Sequence, residues 1–186
     1  MTEIESDVAL MLRVKAGDHE AFRTLIERHQ RAVINVIYRA IGDAWEAEDL
    51  AQRVFIQIYR SASRYQPTAK FTTWMFTITH NAILNEHRRR SRHQAESLDA
   101  DESGLRLADA RAADPASAVA ERELQERIEA AIQELPEAQR VAVILCRFEG
   151  LAYEEIAQVL GCSVSAVKSL LHRARQTLKE QLRGFY

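Results

Sequence analysis

Apolar residues recur at intervals of three and four along most of the chain, and each run stops at a residue that suits a helix end. Ser6 is placed to cap a first helix running to Ala16, with Gly17 ending it. Asp18 caps a longer second helix whose Phe22, Leu25, Ile26, Val33, Val36 and Ile37 form one stripe, and Gly42 stops it. Asp43 opens a third helix with Leu50, Val54, Ile58 and Ala62 stacked four apart. Tyr65-Gln66-Pro67 then breaks the period, because proline cannot continue a helix and biases its predecessor to extended geometry. Thr72 or Thr73 is expected to cap a fourth helix, with Trp74, Met75, Ile78 and Ala82 facing inward and the run Arg88-Arg89-Arg90-Ser91-Arg92 at its end. These four helices predict a first domain over residues 1–93.

Residues 94–113 carry no period, high polarity and many Ala, Asp and Ser, which predicts a flexible linker. Asp114-Pro115 then reads as N-cap and first helical position of a second domain, 114–186. Its first helix runs through Leu124, Ile128, Ile132 and Leu135; Pro136 opens the next, with Val141, Ile144 and Leu145, and Gly150 closes it. The segment Tyr153-Glu154-Glu155-Ile156-Ala157-Gln158-Val159-Leu160 is one short helix, Gly161 suits a left-handed turn, and Ser163 caps a last helix beginning at Val164. Two helices joined by a tight glycine-containing turn predict a helix-turn-helix. On its second helix Val164, Val167, Leu171, Ala174 and Leu178 point inward. The opposite face carries Ser165, Ser169, His172, Arg173 and Gln176, with Lys168 on its flank.

Composition agrees with an all-α chain of two small helical domains joined by a flexible acidic linker. Of 186 residues 47% are hydrophobic, enough for one or two compact cores, while six Gly and three Pro are too few for a turn-rich β fold. The net charge of −2 hides three blocks. Residues 1–93 hold 14 Lys/Arg against 11 Asp/Glu, residues 94–121 two against seven, and residues 122–186 nine of each. Such a series supports two domains and a linker. Cys146 and Cys162 are too few for a disulfide framework and read as buried or half-buried thiols. The N-terminus is acidic and no run approaches the length of a membrane span, so neither a signal peptide nor membrane insertion is expected, and a cytoplasmic location is.

The candidate chemistry is recognition rather than catalysis. The exposed face of the last helix holds hydrogen-bonding and cationic groups near a helix N-terminus, the end that enters a major groove in this motif. Lys168 and Arg173 can donate to guanine edges, and Ser165, Ser169, His172 and Gln176 can read bases or hold phosphates. In the first domain Tyr59, Tyr65, Phe71, Trp74 and Phe76 cluster around the Pro67 break, with Lys70 beside them and arginines beyond. Cations for a backbone and π-faces for unstacked bases are what single-stranded DNA needs.

Two stretches now carry a family resemblance. Ala47-Glu48-Asp49-Leu50-Ala51-Gln52-x-Val54-Phe55, followed by Phe71-Thr72-Thr73-Trp74-Met75-Phe76-x-Ile78-x-x-Asn81, resembles conserved region 2 of the sigma-70 family of RNA polymerase sigma factors. Leu135-Pro136, Gly150-Leu151-x-Tyr153-Glu154-Glu155-Ile156-Ala157 and Val164-x-x-Val167-Lys168-Ser169-x-x-x-Arg173-Ala174-Arg175 resemble its region 4. The combination is similar to the extracytoplasmic-function group, which keeps only those two domains. Arg53 departs from the pattern, standing where the family usually has an acid. The resemblance implies that Asp49, Gln52 and Phe55 dock on a coiled coil of the largest polymerase subunit. It implies that Tyr65, Lys70, Thr72, Trp74 and Asn81 meet and melt the −10 element, that Arg88, Arg89 and Arg90 track phosphates, and that the last helix reads the −35 element while resting on the polymerase flap. An anti-sigma factor is the implied regulator; no cofactor and no enzymatic activity are implied. Two other classes compete: a stand-alone helix-turn-helix regulator, which leaves the aromatic and basic arrangement after Pro67 unexplained, and a metal-dependent hydrolase using His80, His87 and His93, for which there is no HExxH.

Overall fold

Side chains that accept backbone N–H groups set where the helices begin. The computed structural model describes residues 5–96 and 117–183, and the elements are α1 (Asp7–Lys15), α2 (His19–Ile41), α3 (Ala44–Ser61), a single 3-10 turn (Ala62–Arg64), α4 (Phe71–Glu96), α5 (Ser117–Gln133), α6 (Glu137–Arg147), α7 (Tyr153–Leu160) and α8 (Val164–Gln181). Ser6 accepts from the Ala9 amide at 3.2 Å, Asp18 from Glu20 and Ala21 at 3.0 and 3.1 Å, Asp43 from Glu46 at 2.9 Å, and Ser163 from Ala166 at 3.1 Å. Each satisfies a donor that the first turn leaves without a helical partner. All four caps fall where the sequence places them. The Asp114-Pro115 cap lies outside the described residues, as does the expected linker except for 94–96, where α4 continues.

The fourth helix differs from expectation in two ways. It starts at Phe71, so Thr72 and Thr73 sit inside its first turn, and the Trp74 amide already donates to the Lys70 carbonyl at 3.3 Å. Its buried face is also rotated. Phe71, Met75, Phe76, Thr79, Ile83 and Glu86 are buried, whereas Trp74, Ile78 and Ala82 are only half-buried; of the four residues expected inside, Met75 alone is fully so. The helix carries apolar residues on two faces, and the deeper one admits a threonine and a glutamate whose polar atoms find partners inside. Thr79 Oγ1 donates to the Met75 carbonyl at 3.0 Å, and Glu86 is held by arginines.

Packing joins the two halves. α2 packs on α1, α3 and α4, while α6 packs on α7 and α8. The halves then meet where α2 touches α5 and α6 and where α4 touches α7. The buried apolar residues form one continuous cluster from Leu10 to Leu171, crossing between the halves.

Gly42 sits at that crossing. Its φ of +83° is left-handed, and the Tyr38 carbonyl accepts its N–H at 2.7 Å, closing α2. A Cβ there would lie 3.2 Å from Gln133 Oε1. Gly42→Ala is therefore expected to lower stability by about 1–2 kcal/mol through the left-handed backbone alone. The check is a urea melt: the midpoint drops while the slope stays unchanged.

Candidate nucleic-acid interface

The turn between α7 and α8 is built by hydrogen bonds that glycine makes possible. Gly161 adopts φ +63°, and the Cys162 amide donates back to the Ala157 carbonyl at 3.0 Å. Glu155 Oε2 accepts the Ala152 amide at 2.9 Å and fixes the start of α7. Ile156, Ala157 and Val159 on α7 face Val167, Leu171 and Ala174 on α8 across a buried seam. This leaves the outer face of α8 open: Ser165, Lys168, Ser169, His172, Arg173 and Gln176 are all exposed. Among the described residues neither Lys168 nor Arg173 enters an ion pair, so both charges are available to a ligand.

The second candidate surface is less uniform. Tyr65 is 1% exposed, its ring edge-on to Trp74 with centroids 4.9 Å apart, and its hydroxyl has no hydrogen-bond partner. Burial, reinforced by Asp7, pushes its pKa up. Tyr65 is thus a core residue that backs Trp74 and is not on the surface expected to meet DNA. Lys70 is exposed, Thr72 and Trp74 are half-buried, and Asn81 is exposed farther along the same stripe of α4. Trp74 lines a small cleft of about 150 Å³ with Gln66, Thr68, Thr73, Thr77 and, from α7, Gln158. Asn81 instead lines an open groove of about 490 Å³ between α3 and α4, together with Arg53, Gln57, Asn85 and Arg89.

The arginine run divides by partner. Arg88 and Arg92 are exposed. Arg89 makes a two-pronged contact with Glu86, Nη2 to Oε1 at 2.7 Å and Nε to both oxygens at 3.0 and 3.1 Å. Arg90 binds Glu46 and reaches the Ile41 carbonyl at 3.5 Å; burial lowers its pKa. Arg90 therefore ties α4 to α2 and α3, and it is not one of the free phosphate-tracking cations expected. Glu86 is 3% exposed, with Arg53 Nη2 at 3.7 Å and Arg90 Nε at 3.8 Å. Arg53 also pairs with Asp49 at 2.8 Å, so the residue that departs from the family pattern has a local reason to be basic. The anchoring role of Glu86 is readable in the sequence, because an acid three and four residues before Arg89 and Arg90 shares their face.

On α3, Asp49 and Gln52 are exposed as expected, but Phe55 is 8% exposed and belongs to the core. The helical period explains the correction: Phe55 falls beside Ala51 and Ile58 on the buried side. The apolar group presented outward beside Gln52 and Arg53 is Ile56, 51% exposed; Trp45, in the first turn of α3, is 86% exposed and Tyr59 39%. Periodicity alone picks out Ile56 once the buried stripe of α3 is fixed.

The histidines do not converge. His80 is buried on α4 with Nδ1 lacking a partner, and burial lowers its pKa against the opposing charge of Glu137. Among the described residues no group of three or more His, Cys, Asp or Glu side chains is placed to hold a metal ion; the side chain of His93 lies outside the described residues. Cys146 and Cys162 are half-buried free thiols. No described helix is long and apolar enough to cross a membrane.

Comparison with known proteins places this geometry. Residues 25–93 match the family model of sigma-70 region 2, and residues 125–178 match that of sigma-70, region 4. The chain is 35% identical over 182 residues to the RNA polymerase sigma-H factor of Pseudomonas aeruginosa, spanning 96% of this chain and 94% of that protein. It is 31% identical over 188 residues to the ECF RNA polymerase sigma-E factor of Escherichia coli K12, spanning 98% and 97%. The sigma factor RpoE of Bartonella quintana, solved in complex with the anti-sigma factor NepR, superposes with a TM-score of 0.73 at 24% identity over 89% of this chain and 98% of that one. At that identity the likeness is one of fold.

Proposed function

The chain belongs to the sigma-70 family, in its extracytoplasmic-function group, and from that membership we propose how its surfaces divide the work of starting transcription. It is a non-enzymatic initiation factor that binds RNA polymerase core and directs it to promoters. The stand-alone regulator and the metal hydrolase are set aside, because a region 2 match over residues 25–93 belongs to neither.

The −35 element is read by α8 through Ser165, Lys168, Ser169, His172, Arg173 and Gln176. The observation that carries this reading is that all six are exposed on one face while Val167, Leu171 and Ala174 bury the other. The −10 element is met by Lys70, Thr72, Trp74 and Asn81, with Tyr65 acting from behind as the support of Trp74. Opening the duplex requires a base outside the stack, at a cost of a few kcal/mol that an aromatic wall and an amide reader can offset. Arg88 and Arg92 are the cations of the run that remain for phosphates. Core polymerase docks on α3 through Asp49, Gln52 and Ile56, and the apolar side of the C-terminal half rests on the flap. The chain works in the cytoplasm, where its partner at rest is an anti-sigma factor; the Bartonella relative of the same fold is held by one. Full activity in unstressed cells would argue against that partner.

Reconstituted transcription tests the whole. Purified chain, core polymerase and genomic DNA are combined, and the 5′ ends of transcripts are sequenced. Starts at a shared −35/−10 pair, seen only with both proteins present, are expected. Specific DNA binding by the chain alone with no core-dependent start overturns the reading.

A further inference from the structure

The outward side of α3 carries apolar groups that the described residues leave uncovered. Trp45 is 86% exposed, Ile56 51% and Tyr59 39%, three of the five large apolar side chains left exposed among the described residues. A tryptophan is seldom so open to water. Asp49 and Gln52 stand between them, both exposed. Positions 45, 49, 52, 56 and 59 are separated by alternating steps of four and three. At about 100° per residue they fall within about 80° of arc, along about 21 Å of helix. Opposite them Ala47, Leu50, Ala51, Val54 and Ile58 face the core. A four-three repeat is the seam by which one helix lies along another, each side chain seated in a hole between residues of its partner.

Charge on this side of the helix cancels. The exposed charged residues of α3 are Glu48 and Asp49 against Arg53 and Arg60, a net of zero. Glu46 is taken up by Arg90. Arg53 Nη2 stands 2.8 Å from Asp49 Oδ2, so the acid of the seam is balanced by a residue one turn along its own helix. Arg53 is not needed inward, because Glu86, 3.7 Å away, already has the two-pronged contact of Arg89. An acid at position 53, the usual residue of the family, would leave three acids against Arg60, a net of −2. Arg53 thus removes a field that would attract a basic partner and leaves the contact to the apolar groups. The Tyr59 ring is already held in place. It stacks on His19 with centroids 5.9 Å apart, tilts against Phe22 at 5.1 Å, and its hydroxyl lies 3.3 Å from His19 Nδ1. The backbone at Trp45 is set by the Asp43 cap, which accepts the Glu46 amide at 2.9 Å. Groups fixed before contact lose less freedom on binding.

We propose that α3 docks on core polymerase through a charge-neutral helical seam anchored by Trp45, with Ile56 and Tyr59 completing it and Arg53 cancelling the charge of Asp49. The occupant is a helix of the polymerase that offers apolar holes at matching intervals, because the seam is continuous with Asp49, Gln52 and Ile56, the residues assigned to core docking above. The proposal rests on that assignment and extends it one turn toward the start of α3 and one turn toward its end. A large aromatic side chain at an interface carries far more of the binding energy than its neighbours, which serve to exclude water around it. Neutrality has its own consequence. Contact between oppositely charged faces weakens as salt rises, whereas contact made by burying apolar surface does not. The complex with polymerase is therefore held by Trp45 at high salt as at low.

The test titrates the dye-labelled full chain with core polymerase and reads anisotropy at about 0.1 M and about 0.5 M salt, between which the Debye length shrinks from about 10 to about 4 Å. Trp45→Ala is expected to bind about tenfold or more weakly at both salts. Its urea midpoint should stay where it is, since the side chain is 86% exposed. Leu12→Ala removes an apolar side chain that is 44% exposed on α1, away from the seam, and should bind within about twofold of the unaltered chain. Arg53→Gln frees the Asp49 charge without setting an acid beside Glu86, and its affinity is expected to fall more steeply with salt than that of the unaltered chain. Parallel salt curves, an equal loss in Leu12→Ala, or full affinity in Trp45→Ala overturn the proposal. Gln52→Ala separates the levels of failure. If it weakens binding while Trp45→Ala does not, docking by α3 stands and the seam alone falls; if neither weakens binding, the assignment of α3 falls as well. Sedimentation velocity covers the other occupant: a dimer of the free chain that Trp45→Ala abolishes, with core affinity unchanged, assigns the seam to a second copy and overturns the proposal. Should Trp45→Ala melt early, hydroxyl-radical footprinting of the unaltered chain decides. Trp45 is expected to be protected from oxidation when core polymerase is added, and undiminished oxidation overturns the proposal.

Discussion

Ile58→Ala is expected to cost about 2–5 kcal/mol, a large part of the roughly 5–15 kcal/mol that holds a domain folded. Ile58 is 0% exposed and stands at the middle of the buried stripe of α3, among Val54, Phe55 and Ala62. Truncation removes buried carbon and leaves a cavity that rigid neighbouring helices fill only in part. Two residues earlier, Ile56 is 51% exposed and the same substitution should shift stability by less than about 0.5 kcal/mol. Its effect belongs to polymerase binding, as an apolar anchor set between Gln52 and Arg53. Urea denaturation separates the two, and a pull-down titration with core polymerase reads the second. A small loss at Ile58 would mean that α3 is not anchored as described. Unchanged polymerase affinity in Ile56→Ala would remove α3's outward face from the docking surface.

That pair shows what is legible in the sequence. Helix ends are readable because their causes are local: Ser6, Asp18, Asp43 and Ser163 each cap from their own position, and Gly42 and Gly161 take a backbone geometry other residues resist. The outer face of α8 is readable because a single apolar stripe leaves only one opposite face. Where a helix touches neighbours on two sides, periodicity gives two stripes and no depth. Hence the pattern of α4 puts Trp74, Ile78 and Ala82 innermost, while Thr79 and Glu86 lie deeper than a polar residue announces. Phe55 and Tyr65 are misplaced for a related reason: a family motif names residues that matter without saying whether they touch a partner or hold up the one that does. Arg90 is misplaced because its use depends on Glu46, 44 positions away in the chain.

The contacts between the halves are beyond the sequence altogether. Nothing local to Gln133 or Arg140 says that they serve carbonyls of α2, some 94 and 100 residues earlier. Glu155 reads as an ordinary first-turn acid on α7, which it also is. Its second contact, with Lys70 and Thr73, exists only because the fold returns α7 to the start of α4. The same carboxylate thus caps α7 and pairs with Lys70 and Thr73 at the start of α4, and for that reason Glu155→Gln separates the roles better than Glu155→Ala.

On α8 the expected effects are separable by what each residue touches. Lys168 lies in the second turn, near the helix end that enters a major groove, and Arg173 lies farther along the same face. Each is exposed, so alanine at either position should leave the melting midpoint nearly unchanged. A side chain donating to a base edge is worth about 1–3 kcal/mol of discrimination, and one that neutralises a phosphate sets about 0.9 of the slope of log affinity against log salt. The double variant Lys168→Ala/Arg173→Ala should therefore bind the −35 duplex about 30-fold or more weakly, by anisotropy at fixed salt, since two penalties of about 1 kcal/mol already reach that factor. The single variants assign the roles. If the side chain donates to a base, its removal relaxes preference for the mapped −35 sequence over a scrambled duplex while other positions stay specific. If it neutralises a phosphate, its removal weakens both duplexes equally and flattens the salt dependence. A double variant that binds the −35 duplex as tightly as the unaltered chain would show that α8 does not present this face to DNA. It would then have to be read as an interface with another protein.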